Sequence, residues 1–233
     1  MSQRCLFVLT NHDRIGPAGA DDAEPTGFHL FEAAMPWCLL TETGVQVDVV
    51  TPKGGEAPID PSSREDDAVE NQRFLHDDCV AAAIADSAAL TDISCDRYDA
   101  VYFPGGYGAM WDLPVDAGVA TTVREFADSG RLVGAVCHGP AALVDARLDN
   151  GRWLVDGREI ACFTDDEERA MQKDRLMPFL LGSRLVEHGA TLKAAADFEA
   201  AVAVDGNLIT GQNPASARGV GEALRDRLAQ RQR

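Results

Sequence analysis

The stretch from Arg131 to Ala142 limits the possible folds of this chain more than any other part of the sequence. Residues 131–136 form a short apolar run, which is typical of a buried strand in a parallel sheet. Cys137 follows at once, and Gly139 and Pro140 separate it from a segment of helical character. This pattern predicts a nucleophile elbow, in which a tight turn lifts a reactive side chain above the sheet edge. The positive end of the following helix is expected to favour the thiolate.

Predicted strands and helices alternate along the chain, which indicates an α/β fold with a mostly parallel sheet and helices on both faces. We expect strands over 4–10, 45–51, 98–103 and 131–136, and helices over 28–44, 74–89, 116–128 and 178–188. A last helix is expected to begin at Asn213, the candidate N-cap, with Pro214 as its first residue. Asp156-Gly157 and Asp205-Gly206 each predict a hairpin. The sequence indicates one domain over 1–233, with a polar loop over 11–27 and an exposed polar excursion around 56–72.

The charge balance excludes several classes of partner. The formal net charge is −17, which argues against nucleic acid or an anionic membrane surface as partner. A high-GC genome and a high-salt cytoplasm both explain this acidity. No apolar run is long enough to span a membrane, and the apolar start lacks a small-residue cleavage site, so we expect a cytoplasmic protein.

The cysteines and histidines do not have the spacing of a metal site. Six cysteines occur without a C-x-x-C pair, which favours free thiols over a disulfide framework in a cytoplasmic protein. Five histidines occur without zinc-type spacing. We therefore expect no metal.

Three further segments contain candidate site residues. Pro104-Gly105-Gly106 follows the third predicted strand without G-x-G-x-x-G spacing, so its backbone amides are candidates for an oxyanion site. Glu32 lies near the apolar face of the first helix, although a solvated acid at a helix start is the simpler interpretation. The segment 163–168, FTDDEE, is either an ordinary acidic helix start or a source of the acid that a cysteine–histidine pair needs.

Four motifs in this order, YDAVYFPGGYGAMWDLP, VGAVCHGPAAL, FTDDEE and LITGQNPASA, resemble the DJ-1/PfpI superfamily, and in particular its Hsp31-like, glutathione-independent glyoxalase branch. The resemblance covers nearly the whole chain. It implies a flavodoxin-like sandwich whose active site lies at the carboxyl ends of the strands.

The resemblance implies roles for individual residues. Cys137 matches the nucleophile, His138 its triad partner, and Glu168 the acid that orients the histidine, with Glu167 as the alternative register. Glu32 matches the glutamate that hydrogen bonds the sulfur. The amides of Gly106 and His138 match the oxyanion hole, and Gly105, Tyr107 and Trp111 the substrate pocket. Many relatives have histidine in place of Tyr107 and often glycine in place of Cys162, so these two departures bear on the substrate.

The implied activity is cofactor-free conversion of methylglyoxal, or a related 2-oxoaldehyde, to a 2-hydroxy acid such as lactate. This is the chemistry of a glyoxalase III-like lyase of the D-lactate dehydratase type, and the resemblance also implies a homodimer. A stress-response chaperone or a cysteine redox sensor is the main alternative. A glutaminase or peptidase is disfavoured, because their downstream H-x-E motif is absent: His188 is followed by Gly189 and Ala190.

Overall fold

The computed structural model describes residues 2–17, 23–65 and 67–231. Residues 18–22 of the predicted polar loop, residue 66 of the predicted excursion and the chain ends (residues 1, 232 and 233) lie outside these ranges. The strands are β1 (Arg4–Val8), β2 (Gln46–Thr51), β3 (Ala88–Ala89), β4 (Ala100–Phe103), β5 (Leu132–Val136), β6 (Glu159–Ile160), β7 (Thr191–Leu192), β8 (Val202–Asp205) and β9 (Leu208–Gly211). The helices are α1 (Leu30–Thr41), α2 (Val69–Leu75), α3 (Asp78–Ala85), α4 (Ala109–Asp112), α5 (Ala117–Asp128), α6 (Asp165–Ala170), α7 (Leu181–Glu187) and α8 (Ala217–Arg231).

Within the described residues, seven strands form one sheet in the order β3-β2-β1-β4-β5-β9-β8. Every pairing in it is parallel except β8 with β9. The predicted α/β fold with a mostly parallel sheet is therefore confirmed. In the β4–β5 pair, Phe103 lies opposite Ala135. This register places the Pro104-Gly105-Gly106 loop beside the end of β5, where Cys137 begins the next segment.

Apolar side chains cover both faces of the sheet. Val119, Val123 and Phe126 of α5 belong to one buried cluster, whereas Leu40 of α1 and Leu224 of α8 belong to the other. The central strand β5 is buried along its whole length, as a strand covered on both faces must be. Helices α1 and α5 thus hold the sheet from opposite sides and fix the strand ends that carry the site.

One of the two predicted hairpins is wrong. Around Asp205-Gly206, β8 and β9 pair antiparallel as expected. Residues after Asp156-Gly157 instead form β6, which pairs in parallel with β7. The amide of Gly157 donates to the Gly189 carbonyl at 2.9 Å, which ties this turn to a distant segment. A two-residue turn signal does not specify the partner of the strand that follows it, so long-range packing decided the pairing here.

Two helix predictions also differ from the structure. The segment after the elbow forms only a short 3₁₀ helix, Gly139–Leu143. Of the helix predicted over 74–89, residues 74–75 end α2, residues 78–85 form α3, and residues 88–89 form β3. A new helix starts at α3 because the Asp77 side chain accepts hydrogen bonds from the amides of Cys79 and Val80.

The excursion around 56–72 is not simply exposed. Ala57, Ile59, Asp60 and Ser63 are buried. The Ser63 hydroxyl accepts a hydrogen bond from the Leu30 amide at 3.0 Å, which satisfies a donor at the start of α1. Polar composition predicted solvent exposure, but two of the polar side chains are buried with hydrogen-bond partners: Asp60 accepts from the Thr26 hydroxyl, and Ser63 meets the start of α1, which also carries Glu32.

Candidate active site

Cys137 occupies the sharp turn that the sequence predicts. Its φ is 59°, in the left-handed region that favours glycine, so the position is strained. Backbone hydrogen bonds on both sides hold it: its amide donates to the carbonyl of Gly211, at the end of β9, at 2.9 Å, and its carbonyl accepts from the Phe163 amide, in the loop before α6, at 2.9 Å. The sulfur is therefore presented at the sheet edge by a backbone that the surrounding structure fixes.

His138 lies beside the sulfur and is held on three sides. Its Nδ1 lies 3.4 Å from Cys137 Sγ, and its Nε2 lies 2.8 Å from Glu168 Oε2. The rings of Tyr107 and Phe163 pack against the imidazole with centroid distances of 4.7 Å and 4.6 Å. Because a carboxylate only accepts, Nε2 carries the proton, which leaves Nδ1 free to accept the thiol proton.

The two neighbouring glutamates of FTDDEE have different partners. Glu168 contacts His138, as the first of the two registers predicts. Glu167 instead completes a capping box with Thr164 at the start of α6, and its Oε1 accepts from the Phe198 amide and from Asn213. The alternative in which Glu167 orients the histidine does not match this geometry.

Glu32 is fully buried on α1, which excludes the interpretation of a solvated acid. Its Oε2 accepts a hydrogen bond from the Gly105 amide at 2.7 Å. Burial raises the pKa of Glu32 to about 8, with a smaller increase from Asp60, while the Gly105 amide and the Cys137 thiol oppose the shift. The carboxyl group is therefore poised to take up and release a proton near neutral pH.

The expectation of a thiolate favoured by a helix end is not met in the resting site. Burial and the neighbouring Glu32 carboxyl raise the pKa of the Cys137 thiol, whereas the amides of Gly106 and His138 lower it. The short 3₁₀ turn after the elbow contributes little dipole compared with the α-helix that the sequence predicts. Deprotonation of the thiol therefore needs a nearby acceptor, and His138 or Glu32 can supply it.

The glycine loop makes close contacts that exclude a side chain. A Cβ on Gly105 would lie 2.6 Å from the His138 amide nitrogen and 2.7 Å from Glu32 Oε2. Gly106 has a φ of 100°, and a Cβ there would lie 2.3 Å from the Gly27 carbonyl oxygen. The amides of Gly106 and His138 both lower the pKa of the Cys137 thiol by hydrogen bonding, so these two N–H groups face the sulfur.

A cavity of about 180 Å³ opens onto Cys137. It is lined by His29, Asp60, Ser62, Gly106, Tyr107, Cys137, His138, Phe163, Met171, Phe198 and Pro214. A larger groove of about 570 Å³ runs beside α5, but none of the four predicted catalytic residues lines it.

Two of the three predicted pocket residues lie outside this lining. Trp111 stacks on His12 at 5.1 Å and lines a separate groove, because α4 directs it away from the sheet edge. Gly105 lies behind the cavity, where it contacts Glu32, whereas Tyr107 does line the cavity. Cys162, at the position where relatives often have glycine, is buried and does not line the cavity.

Seven of the lining residues were not among the predicted site residues, namely His29, Asp60, Ser62, Phe163, Met171, Phe198 and Pro214. Phe163 and Pro214 belong to motifs that the sequence analysis singled out, whereas the other five come from segments without a motif. For Asp60 a local turn signal existed, because Asp60-Pro61-Ser62 is a typical turn sequence.

The described ranges contain no group of three or more His, Cys, Asp and Glu side chains that could hold a metal ion. They also contain no helix long and apolar enough to cross a membrane. All six cysteines are free thiols.

Comparison with known proteins identifies the family. The DJ-1/PfpI family model matches residues 24–225. The chain belongs to the DJ-1/PfpI family. Glutathione-independent glyoxalase hsp3101 of Schizosaccharomyces pombe is 30% identical over 96% of this chain and 96% of its own length. This likeness confirms the Hsp31-like resemblance seen in the motifs.

Two solved structures agree with the observed fold. Rapid Encystment Protein 24 KDa of Francisella tularensis is 34% identical and superposes with a TM-score of 0.92 over 97% of this chain and 99% of that one. Glyoxalase III of Candida albicans is 23% identical, with a TM-score of 0.81 over 95% of both chains, and shares the fold.

Proposed function

We propose that this protein is a glutathione-independent glyoxalase that converts methylglyoxal, or a related 2-oxoaldehyde, to a 2-hydroxy acid. The observation that carries the proposal is the buried Glu32 carboxyl, with a pKa of about 8, beside a cysteine on a strained elbow. The name of the Schizosaccharomyces pombe relative supports the same activity. We propose Cys137 as nucleophile, Glu32 as general acid/base, and His138 with Glu168 as the pair that manages the thiol proton.

The first step is addition of the thiol to the aldehyde carbon. A bond forms between Cys137 Sγ and C1, the carbonyl electron pair moves to oxygen, and the thiol proton passes through His138 to that oxygen. The result is a hemithioacetal. The amides of Gly106 and His138 stabilise the oxygen while it is negatively charged.

Proton transfer then oxidises C1 and reduces C2. The Glu32 carboxylate removes the hydrogen on C1 as a proton, and the remaining electron pair forms a C1–C2 double bond while the C2 carbonyl pair moves to its oxygen. The C2 oxygen then takes the proton of the C1 hydroxyl. When Glu32 returns its proton to C2, the C1 carbonyl forms and gives the thioester of a 2-hydroxy acid, in which C1 is oxidised and C2 reduced. Water then cleaves the thioester, releasing the acid and the free thiol. The net reaction therefore needs no external oxidant or reductant.

The test is incubation of purified protein with methylglyoxal in the absence of glutathione, with lactate as the measured product. We expect lactate from the wild type and none above background from Cys137→Ala. Cys79→Ala is the matched control, because Cys79 is an exposed free thiol that does not line the cavity. Lack of lactate with the wild type, or undiminished activity in Cys137→Ala, would exclude the proposal.

A redox sensor needs an accessible thiol, and a chaperone needs apolar surface patches. Only 4% of Cys137 is exposed, which favours reaction with a small molecule that enters the cavity. Suppression of client aggregation that persists in Cys137→Ala would support a chaperone role beside the enzymatic one. The predicted homodimer stays a prediction, and light scattering of the purified protein measures it.

A further inference from the structure

Phe198 combines two features that are unusual together. It is a large apolar residue with 48% of its surface exposed, and its φ of 64° lies in the left-handed region. A bulky residue in this conformation is uncommon, and it persists only where the surrounding structure holds it. Phe198 also lines the cavity above Cys137, so the strain occurs at the candidate site.

Glu167 holds this strained segment from the interior. Its Oε1 accepts hydrogen bonds from the Phe198 amide at 2.8 Å and from Asn213 Nδ2 at 2.7 Å. Asn213 Nδ2 also donates to the Glu199 carbonyl at 2.8 Å. Glu167 and Asn213 are both buried, so these hydrogen bonds to a carboxylate are shielded from water and strong. The backbone that carries Phe198 is therefore fixed in place.

Phe163 and Met171 also line the cavity, and together with Phe198 they form its apolar wall. The Phe163 ring lies 6.4 Å from the Phe198 ring, and Met171 lines the cavity with 46% of its surface exposed. The residue after Met171, Gln172, also has a positive φ of 58°. The cavity thus leaves apolar surface in contact with water, and burial of that surface by a substrate is favourable.

We propose that Phe198, positioned by Glu167, determines specificity by favouring 2-oxoaldehydes whose substituent is apolar and larger than methyl, such as an aryl group. The inference rests on the proposed function, since the dicarbonyl end of the substrate reacts at Cys137. An aryl substituent would contact the Phe163 and Phe198 rings, with the gain that aromatic pairs provide beyond burial. In methylglyoxal the substituent on C2 is a single methyl group, which offers much less apolar surface for burial against Phe163 and Phe198 than an aryl group does.

The test compares phenylglyoxal with methylglyoxal, measured as mandelate and lactate, in the wild type and in variants. We expect a higher kcat/KM for phenylglyoxal in the wild type. Phe198→Ala should raise the KM for phenylglyoxal about tenfold more than the KM for methylglyoxal, with a smaller effect on kcat. Phe198→Tyr should retain the preference. Leu176→Ala, which truncates an exposed apolar residue outside the cavity lining, should leave both substrates unchanged.

A double-mutant comparison tests whether Glu167 acts on specificity through Phe198. Glu167→Gln should lower the phenylglyoxal preference, and combining it with Phe198→Ala should lower the preference no further than Phe198→Ala alone. Independent, multiplicative effects would overturn the positioning role. A Phe198→Ala variant that changes both substrates equally would overturn the specificity proposal while leaving the glyoxalase proposal intact. Failure of the wild type with both substrates would instead overturn the proposed function.

Discussion

Glu167 and Glu168 are neighbours in the sequence, and their buried carboxylates hold different parts of the site. Glu168 Oε2 lies 2.8 Å from His138 Nε2, whereas Glu167 Oε1 accepts the Phe198 amide at 2.8 Å. The first turn of one helix therefore orients the His138 imidazole and also holds the backbone of Phe198, which lines the cavity. A displacement of α6 would disturb both.

This arrangement predicts unequal effects of two isosteric substitutions on methylglyoxal turnover. Glu168→Gln removes the carboxylate that pairs with His138, and hydrogen bonds to charged groups contribute about 1.5–3 kcal/mol, so kcat should fall about 10- to 100-fold. Glu167→Gln, the matched control, should lower kcat less. Steady-state kinetics with both variants at one pH provide the measurement, and a larger loss in Glu167→Gln would contradict the assignment.

If Glu32 is the acid/base that we propose, replacing it removes proton transfer and leaves the proposed nucleophile, Cys137, in place. Glu32→Gln keeps an oxygen that can accept from the Gly105 amide, and it should lower kcat on the order of 10²- to 10⁴-fold. Cys137 in this variant should still form an adduct with an aldehyde, detectable by mass spectrometry after trapping. Wild-type kcat in Glu32→Gln would show that another group carries the proton.

The pH profile should report the Glu32 pKa. Since the carboxylate form removes the proton, kcat/KM should fall as pH decreases below about 8, the pKa that burial gives this group. Asp60 adds to that shift through its charge, so Asp60→Asn should move the acidic limb to lower pH. An unchanged limb in Asp60→Asn would mean that a different group controls the profile.

Stability should depend on pH through the same carboxyl group. The folded pKa of about 8 exceeds the ordinary value of 4.5, so between these values the folded state binds more protons than the unfolded state. The free energy of unfolding therefore decreases as pH rises from about 4.5 to about 8, with a slope of at most about 1.4 kcal/mol per pH unit. Across this window the contribution is on the order of a few kcal/mol.

Urea denaturation of the wild type and of Glu32→Gln at pH 5.5 and pH 8 measures this dependence. The wild type should lose stability relative to the variant over the interval, because glutamine does not titrate. Parallel losses in the two proteins would assign the pH dependence to other groups.

The glycine loop should not tolerate a side chain. In Gly106→Ala, Cβ would lie 2.3 Å from the Gly27 carbonyl oxygen at a φ of 100°, so strain and overlap should destabilise the fold by about 2–5 kcal/mol and abolish activity. Gly55→Ala is the control, because its φ is 79° and nothing lies within 4 Å of a Cβ there. That variant should show the backbone strain alone, about 1–2 kcal/mol. Equal losses would mean that overlap contributes nothing.

Local sequence patterns predicted the central elements of the fold well. The apolar run before Cys137, the strand before the glycine loop and the Asp205-Gly206 hairpin each depend on neighbours in the chain. The same turn chemistry failed at Asp156-Gly157, because β6 pairs with β7, about thirty residues further along the chain. Solvent exposure of the segment around Asp60 was wrong in part, since Asp60 and Ser63 are buried while Ser62, Arg64 and Glu65 are exposed.

The sequence by itself predicted Cys137 as the nucleophile and determined the sharp turn on which it lies. A cysteine between a buried strand and Gly139-Pro140 can take few conformations, so the elbow follows from local sterics and backbone preference. Motif resemblance then suggested Glu32 and Glu168. Only the tertiary structure distinguished Glu168 from Glu167, buried Glu32 and so raised its pKa, and brought Phe198 to the cavity. Those properties depend on desolvation and on contacts between distant segments, which a linear pattern does not contain.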